Sequence, residues 1–401
     1  MEKRMSPYNP CLEETVQDIV FCDVTMREGE QAPGVVFSLE EKIRLAHLLD
    51  EVGVSQIQLY PGKTKSGRQV VKKIAEQKLN AKIVINSVCF EDTWRDNINY
   101  SLECGTDIVH ISFCITPYSC PGWKEGMPQR IQERIAEAVT YAKSQCNHPI
   151  EVAYVDATRA EKNVLFTLVQ TALEAQADRI HLADTAGVAS PEAIEEIVRR
   201  VVRMADGNAV VGVHCHNDFG LALANCIAAI RAGARLTDVA VNGLGDRAGN
   251  VVLAEAAITL EAMYGVKTKI KLERMKELSR YVSKISARPI PVNQPFVGDH
   301  VFVNQDDFHV SQQGEMPFAY RGIRAKDVGG EEKIMFGKVT GPYTIAMMAK
   351  RYGRDIPENL YGEICSKLYD LANTHKGLCI DENGFWNIVH AIERAHQSTP
   401  Q

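Results

Sequence analysis

Short runs of aliphatic and β-branched residues alternate along this chain with longer stretches whose apolar positions recur at i, i+3 and i+4. The short runs lie at 18–24, 55–60, 81–88, 107–114, 150–155, 178–184, 209–216 and 236–243. Their length and apolar character predict buried strands, and the stretches between them predict amphipathic helices. Several helical stretches open on a hydroxyl or acidic residue. Ser38, for example, precedes Glu41 at the spacing of a capping box.

Eight strand–helix units over roughly 250 residues fit a closed (β/α)8 TIM barrel. An open, doubly wound α/β sheet is the competing architecture, and the regular count favours the barrel. The barrel is expected over residues 16–265, after an N-terminal extension at 1–15. From 266 to 340 a charged helix, the proline-rich "ARPIPVNQPF" and a weakly periodic segment predict a linker and arm that completes the active site. Amphipathic runs at 342–352, 358–374 and 382–396 make 341–401 a small helical subdomain.

Charge and cysteine usage narrow the class. The chain has 401 residues, with 45 basic and 51 acidic side chains, a net charge of −6. That balance gives no general attraction to nucleic acid or to an anionic membrane. The 11 cysteines are scattered and form no C-x-x-C pair, a usage that suits reduced thiols in the cytoplasm. The N-terminal stretch shows no apolar signal core, and no run approaches the ~18 apolar residues of a membrane span.

The chemistry gathers where strands end. In a barrel of this kind the active site lies at the C-terminal ends of the strands. The seventh run closes on "VHCHND", and residues i and i+2 of a strand share a face. His214 and His216 therefore aim at one point while Cys215 turns away. Such a pair either clamps a divalent metal or hydrogen-bonds loop backbone. The first run leads into "TMREGEQ". Glu28 is the first choice for an oxygen ligand, since one carboxylate and two imidazoles leave positions open for substrate and water. Arg27 beside it makes sense if an anionic oxygen develops between them. After the eighth run, "NGLGDRAGN" carries three glycines between 243 and 249, a mark of close backbone approach or positive φ. Asn250 offers an amide oxygen as a fourth ligand or, in the plainer reading, a helix cap.

Three of these segments, "DVTMREGEQAPG", "HCHNDFGLALANCIAAIRAG" and "NGLGDRAGN", resemble the signature motifs of the isopropylmalate synthase and homocitrate synthase family. That family is the Claisen-condensing branch of the DRE-TIM metallolyases. "VDATR" and "ADTAG" match in place. The resemblance covers about residues 16–265, and the arm and tail more loosely. It implies that acetyl-CoA is enolised and attacks a 2-oxo acid, and that hydrolysis of the thioester leaves a 2-hydroxy diacid and CoA. It places the metal ligands at Glu28, His214, His216 and Asn250, with Mg, Mn, Co or Zn as the ion. Arg27 would stabilise the developing oxyanion, and Thr185 would hold the oxo-acid carboxylate. Gln31, Gln58, Tyr60, His110, Glu151 and Ala153 would complete the substrate pocket, and Gly243 and Gly245 would meet CoA. In relatives a histidine of an "HESGIH" stretch on the arm does acid–base work in a partner's barrel. His309 matches it, Tyr320 matches a tyrosine downstream, and "GKVTG" (337–341) resembles "GKHSG". A homodimer with exchanged arms is the implied assembly.

The departures bear on the substrate. Where many homocitrate synthases use Arg and Ser on strand 5 to grip a distal carboxylate, this chain has Glu151 and Ala153. A carboxylate there is expected to repel 2-oxoglutarate. "NQDDFH" (304–309) replaces the first His and the Glu of the arm stretch. Two further readings stand beside the condensing enzyme. One is a carbon–carbon lyase of the hydroxymethylglutaryl-CoA lyase type, in which a cysteine occupies the loop position of Asp246. The other is a catalytically altered metal-binding barrel that serves as a scaffold.

Overall fold

The computed structural model describes residues 5–12, 16, 18–62, 64–90, 92–120, 122–316 and 318–397. Part of the expected N-terminal extension, 1–4 and 13–15, lies outside them. Eight strands close into a parallel barrel: β1 (Val20–Asp23), β2 (Gln56–Leu59), β3 (Lys82–Val88), β4 (Ile108–Cys114), β5 (Ile150–Val155), β6 (Arg179–Asp184), β7 (Val210–Cys215) and β8 (Leu236–Val239). Pairing of Val20 with Leu236 through Asp23 with Val239 joins the last strand to the first, so the open sheet is excluded. A helix follows each strand: α1 (Leu39–Val52), α2 (Lys65–Ala75), α3 (Trp94–Glu103), α4 (Met127–Gln145), α5 (Lys162–Glu174), α6 (Pro191–Ala205), α7 (Ala222–Arg231) and α8 (Leu253–Tyr264).

Local chemistry explains the helix starts. The Ser38 hydroxyl accepts from Glu41 N at 3.2 Å, and the Glu41 carboxylate accepts from Ser38 N at 2.8 Å, which closes the expected capping box. Ser190 caps α6, with Pro191 in the first turn.

The pleat sorts the strand residues into two sets. Outward-facing residues such as Ile57, Ile85, Ile111 and Tyr154 are fully buried against the helices. The Tyr154 hydroxyl, which would otherwise be stranded there, donates to Leu168 O on α5 at 2.9 Å. Inside the barrel, Cys22, Val84 and Ile108 form an apolar plug. Further along, the interior turns polar.

The chain divides into two compact units, and the first runs from Ser6 to Ile290. The segment expected to open the arm at 266 therefore belongs to the barrel unit. Helix α9 (Met275–Ser286) buries Met275, Leu278 and Val282. Ser279 O on this helix accepts from Asn242 Nδ2 at 2.9 Å, and Tyr281 donates to Glu41 O at 3.3 Å. Its apolar stripe needed a partner, and the barrel supplies one.

The second unit is the chain from Pro291 onward together with Met5. The stretch expected to be irregular contains β9 (Val303–Asn304), paired in parallel with β10 (Lys333–Ile334), and helix α10 (Asp307–Glu315). Val310 is the one buried residue of α10, so the helix carries no apolar stripe to betray it. Its signal was the cap: Asp306 accepts from Phe308 N and His309 N at 3.0 and 3.1 Å. Helices α11 (Pro342–Arg351), α12 (Tyr361–Thr374) and α13 (Glu382–Gln397) follow the three predicted runs. They enclose a core in which the Phe336 and Phe385 rings stack at 4.3 Å. Among the described residues no helix is long and apolar enough to cross a membrane.

Candidate active site

The mouth is built first by the turn after β1. Asp23 is buried and accepts from Thr25 N at 3.0 Å and from the Thr25 hydroxyl at 2.8 Å. Thr25 Oγ1 in turn accepts from Val241 N at 2.8 Å, past the end of β8. These bonds fold the chain into a helical turn, Thr25–Glu28, which delivers Arg27 and Glu28 to the interior. Arg27 Nη1 donates to Glu28 Oε1, and Gln31 Nε2 donates to the same oxygen at 3.1 Å.

Strand β7 delivers the imidazoles as its pleat requires. His214 Nε2 and His216 Nε2 lie 3.1 Å apart, while Cys215 is buried on the other face. Each Nε2 is 3.9 Å from a Glu28 oxygen. Donor atoms of Glu28, His214 and His216 lie within 4.8 Å of one another, all on buried residues. The Asn250 amide joins them, its Nδ2 3.2 Å from His214 Nε2. Asn250 is not the cap of α8, which begins at Leu253 with Val252 in the N-cap position. It bridges to His216 instead.

The donor set fits a cation. Glu28 Oε2 and Asn250 Oδ1 are buried with no hydrogen-bond partner, an arrangement that costs stability unless a ligand satisfies it. Burial pushes the Glu28 carboxyl up, but Arg27, His214 and His216 outweigh it and hold it below its usual value. Burial, reinforced by His214, lowers His216 to about 3. The cluster thus offers an anionic oxygen and a neutral imidazole, the protonation states a metal ligand needs.

The glycine loop shapes this cluster. A Cβ on Gly245 would stand 2.1 Å from Asn250 Oδ1, and one on Gly249 would stand 1.9 Å from Gly243 O. Gly249 also has φ +81°. Neither Gly243 nor Gly245 lines the cavity at the mouth; both position Asn250.

That cavity holds about 220 Å3, and its lining includes Glu28, His214 and His216 together with Arg27, Gln31, Thr185, His110 and Ala153. The Thr185 hydroxyl accepts from Asp156 N at 2.8 Å, which leaves its own hydrogen for a ligand. Tyr60, 46% exposed, lines a neighbouring cavity of about 400 Å3 that shares Asn86. Gln58 is fully buried beneath, with Nε2 3.3 Å from His110 Nδ1.

Glu151 is the main correction. It does not line the cavity. It lies under it, 2.5 Å from His110 Nδ1, 3.5 Å from His181 Nδ1 and 3.8 Å from Arg179 Nη1. Burial raises its carboxyl, but His181 and His110 outweigh this and keep it well below the usual range. Its charge is compensated, so it does not face a substrate.

Sequence reasoning missed the rest of this buried network. His181 Nε2 is 3.5 Å from Asp238 Oδ2, and Asp238 Oδ2 is 2.9 Å from His214 Nδ1. Arg27 Nη2 approaches the same carboxylate at 3.9 Å. Burial lowers His181, but Asp238 and Glu151 more than reverse it. Gln58, His110, His181 and Asp238 come one from each even-numbered strand. They occupy a layer that barrels commonly fill with branched aliphatics. The missed signal for His181 and Asp238 was parity: each stands at an inward position of its strand. Arg247 was missed as well. It donates to Asp218 at 2.8 and 3.0 Å, to Asp246 at 2.6 Å and to Thr185 O at 2.6 Å.

The arm residues lie in the second unit. The His309 and Tyr320 rings stand 4.1 Å apart at 34°. Asp307 accepts from Thr344 N and the Thr344 hydroxyl at 2.7 and 2.6 Å and so anchors α11.

Fold and mouth together define a TIM-barrel enzyme with a candidate metal centre at the C-terminal ends of its strands. The chain belongs to the HMGL-like family, whose model matches residues 18–282. It is 38% identical over 360 residues to homocitrate synthase AksA of Methanopyrus kandleri, covering 89% of this chain and 88% of that one. It is 33% identical over 392 residues to a probable 2-isopropylmalate synthase of Ignicoccus hospitalis, covering 96% of each. Among solved structures, the HMG-CoA lyase of Brucella melitensis superposes with a TM-score of 0.58 at 16% identity, over 68% of this chain and 99% of that one. That likeness concerns the fold.

Proposed function

We propose that this chain is an acyltransferase that condenses acetyl-CoA with a 2-oxo acid and, by hydrolysis of the thioester with water, gives a 2-hydroxy diacid and CoA. The observation that carries the reading is the convergence of Glu28, His214 and His216 beside Arg27 in a chain whose relatives over nearly its full length are named synthases of this kind.

Glu28, His214, His216 and Asn250 would hold a divalent cation. When bound, it supplies Lewis-acid polarisation of a ketone. Two imidazoles suit the later ions and a carboxylate with an amide oxygen suits Mg or Mn. The chain's own residues do the rest. Asp238 accepts from His214 Nδ1–H, which fixes the tautomer and leaves Nε2 facing the site. Thr185 donates to the carboxylate of the oxo acid. The Arg27 guanidinium stands where the ketone oxygen gains charge as its carbon is attacked, and it lowers the barrier by stabilising that charge. His309, whose ring lies 4.1 Å from that of Tyr320, moves the proton lost from the acetyl methyl group. A second copy's arm supplies these two residues, which makes the working unit a homodimer in the cytoplasm.

Release of free thiol from acetyl-CoA, in the presence of a divalent metal and one of several 2-oxo acids, tests the reading. Acetyl-CoA formed instead from a hydroxyacyl-CoA would replace it with the lyase.

A further inference from the structure

The condensation reading leaves one question to the cavity: what group ends the side chain of the 2-oxo acid. The carboxylate and ketone belong on the side of β1, β6 and β7, where Glu28, His214, His216 and Thr185 stand. The side chain then points across the barrel to β3, β4 and β5. There the wall is Asn86, Ser112, Ala153 and Val155, and the floor is His110.

Each polar group on that side has one face engaged and one left over. Ser112 Oγ donates to Asn86 Oδ1 at 2.9 Å. This bond uses the Ser112 hydrogen and the Asn86 oxygen, and it leaves the Asn86 Nδ2 hydrogens and the Ser112 lone pairs for a ligand. His110 Nδ1 is held by Glu151 at 2.5 Å, so the ring's Nε2 faces away from that carboxylate. Burial outweighs Glu151 and lowers His110, so its Nε2 accepts.

Charge on this side is already compensated. The two guanidinium groups that line the cavity are tied to carboxylates: Arg27 to Glu28 and Asp238, Arg247 to Asp218 and Asp246. His181 stands between Glu151 and Asp238, 3.5 Å from each. A terminal carboxylate would find only cations already paired with carboxylates and would lie above the buried Glu151. A purely apolar chain would strip water from three polar groups and give nothing back.

We infer that the substrate is a short 2-oxo acid whose side chain ends in an uncharged group that both donates and accepts hydrogen bonds, a hydroxyl or a carboxamide, read by Asn86, Ser112 and His110. This rests on the condensation reading. The cavity of about 220 Å3 sets the short length.

The test compares matched acids on the full chain loaded with a divalent metal and acetyl-CoA. 4-Hydroxy-2-oxobutanoate is paired with its apolar isostere 2-oxopentanoate, and 2-oxosuccinamate with the dianion oxaloacetate. Thiol release should give kcat/KM at least about tenfold higher for the hydroxyl and carboxamide members. Ser112→Ala should narrow the hydroxyl-to-apolar ratio by about tenfold, a change in preference that a merely structural role would not produce. A preference for 2-oxopentanoate or oxaloacetate overturns the inference. If no acid releases thiol, thermal shift of the metal-loaded protein separates the two ideas. Stabilisation by the hydroxyl and carboxamide acids alone supports the side-chain reading and removes the condensation. Equal stabilisation by all four, or by none, removes the side-chain reading.

Discussion

Asp238 Oδ2 accepts from His214 Nδ1 at 2.9 Å, on side chains that are 2% and 8% exposed. A carboxylate on the far nitrogen of a ligating histidine fixes the ring and raises its basicity, and losing such a partner typically costs about 10–100-fold in metal affinity. Asp238→Asn should weaken metal binding by that factor, measured by titration calorimetry. Unchanged affinity would mean that His214 is not a ligand or needs no orienting partner.

His214→Ala removes a donor outright. Bound metal should fall below one per chain and turnover should fall with it, by at least about a hundredfold. Elemental analysis and the thiol assay on one preparation check both. A variant that keeps its metal and its turnover would place the centre elsewhere.

Gly245 and Gly249 separate two effects in one loop. An alanine at 249 meets Gly243 O and a φ of +81°, so Gly249→Ala should destabilise the fold by about 2–4 kcal/mol in denaturant unfolding. An alanine at 245 meets mainly the Asn250 amide. Gly245→Ala should weaken metal binding with a smaller change in midpoint.

Burial raises the Asp23 carboxyl from 3.8 to about 7, against the bonds from Thr25. The folded state therefore holds this proton more tightly than the unfolded state. The stability it brings is complete below about pH 4 and is lost as pH rises through about 7. Asp23→Asn cannot ionise. The melting temperature of the variant minus that of wild type should rise from pH 4 to pH 8, and a flat difference would contradict the account.

Arm exchange predicts complementation. In a mixed dimer of Arg27→Ala and His309→Ala chains, one barrel is intact and is served by an intact arm. Co-expression should recover about a quarter of wild-type activity, since about half the dimers are mixed and each holds one complete site. No recovery would mean that each arm serves its own barrel.

The barrel was readable because its strands and helices announce themselves by period. The H-x-H pair and the Arg27–Glu28 dipeptide were readable because unlike chemistry stood at strand ends. Helix α10 was hidden, since it buries little and only Asp306 marks its start. Glu151 was misread for a different reason. Its parity correctly placed it inside the barrel, but its depth depends on the stagger between strands, which no single strand reveals. His181 and Asp238 carried the same inward parity and were passed over as parts of apolar runs.

The acids and bases laid across the barrel interior have a consequence for how this protein can diversify. Glu151, His110, His181 and Asp238 compensate one another through shared contacts. Replacing one strands its neighbours, and breaking a buried pair typically costs about 3–5 kcal/mol, a large share of a domain's whole stability. Drift toward another substrate is therefore obstructed by strong epistasis: each step alone crosses a poorly folded intermediate. Lineages that change this floor are expected to change it as a block, and an engineer would have to do the same.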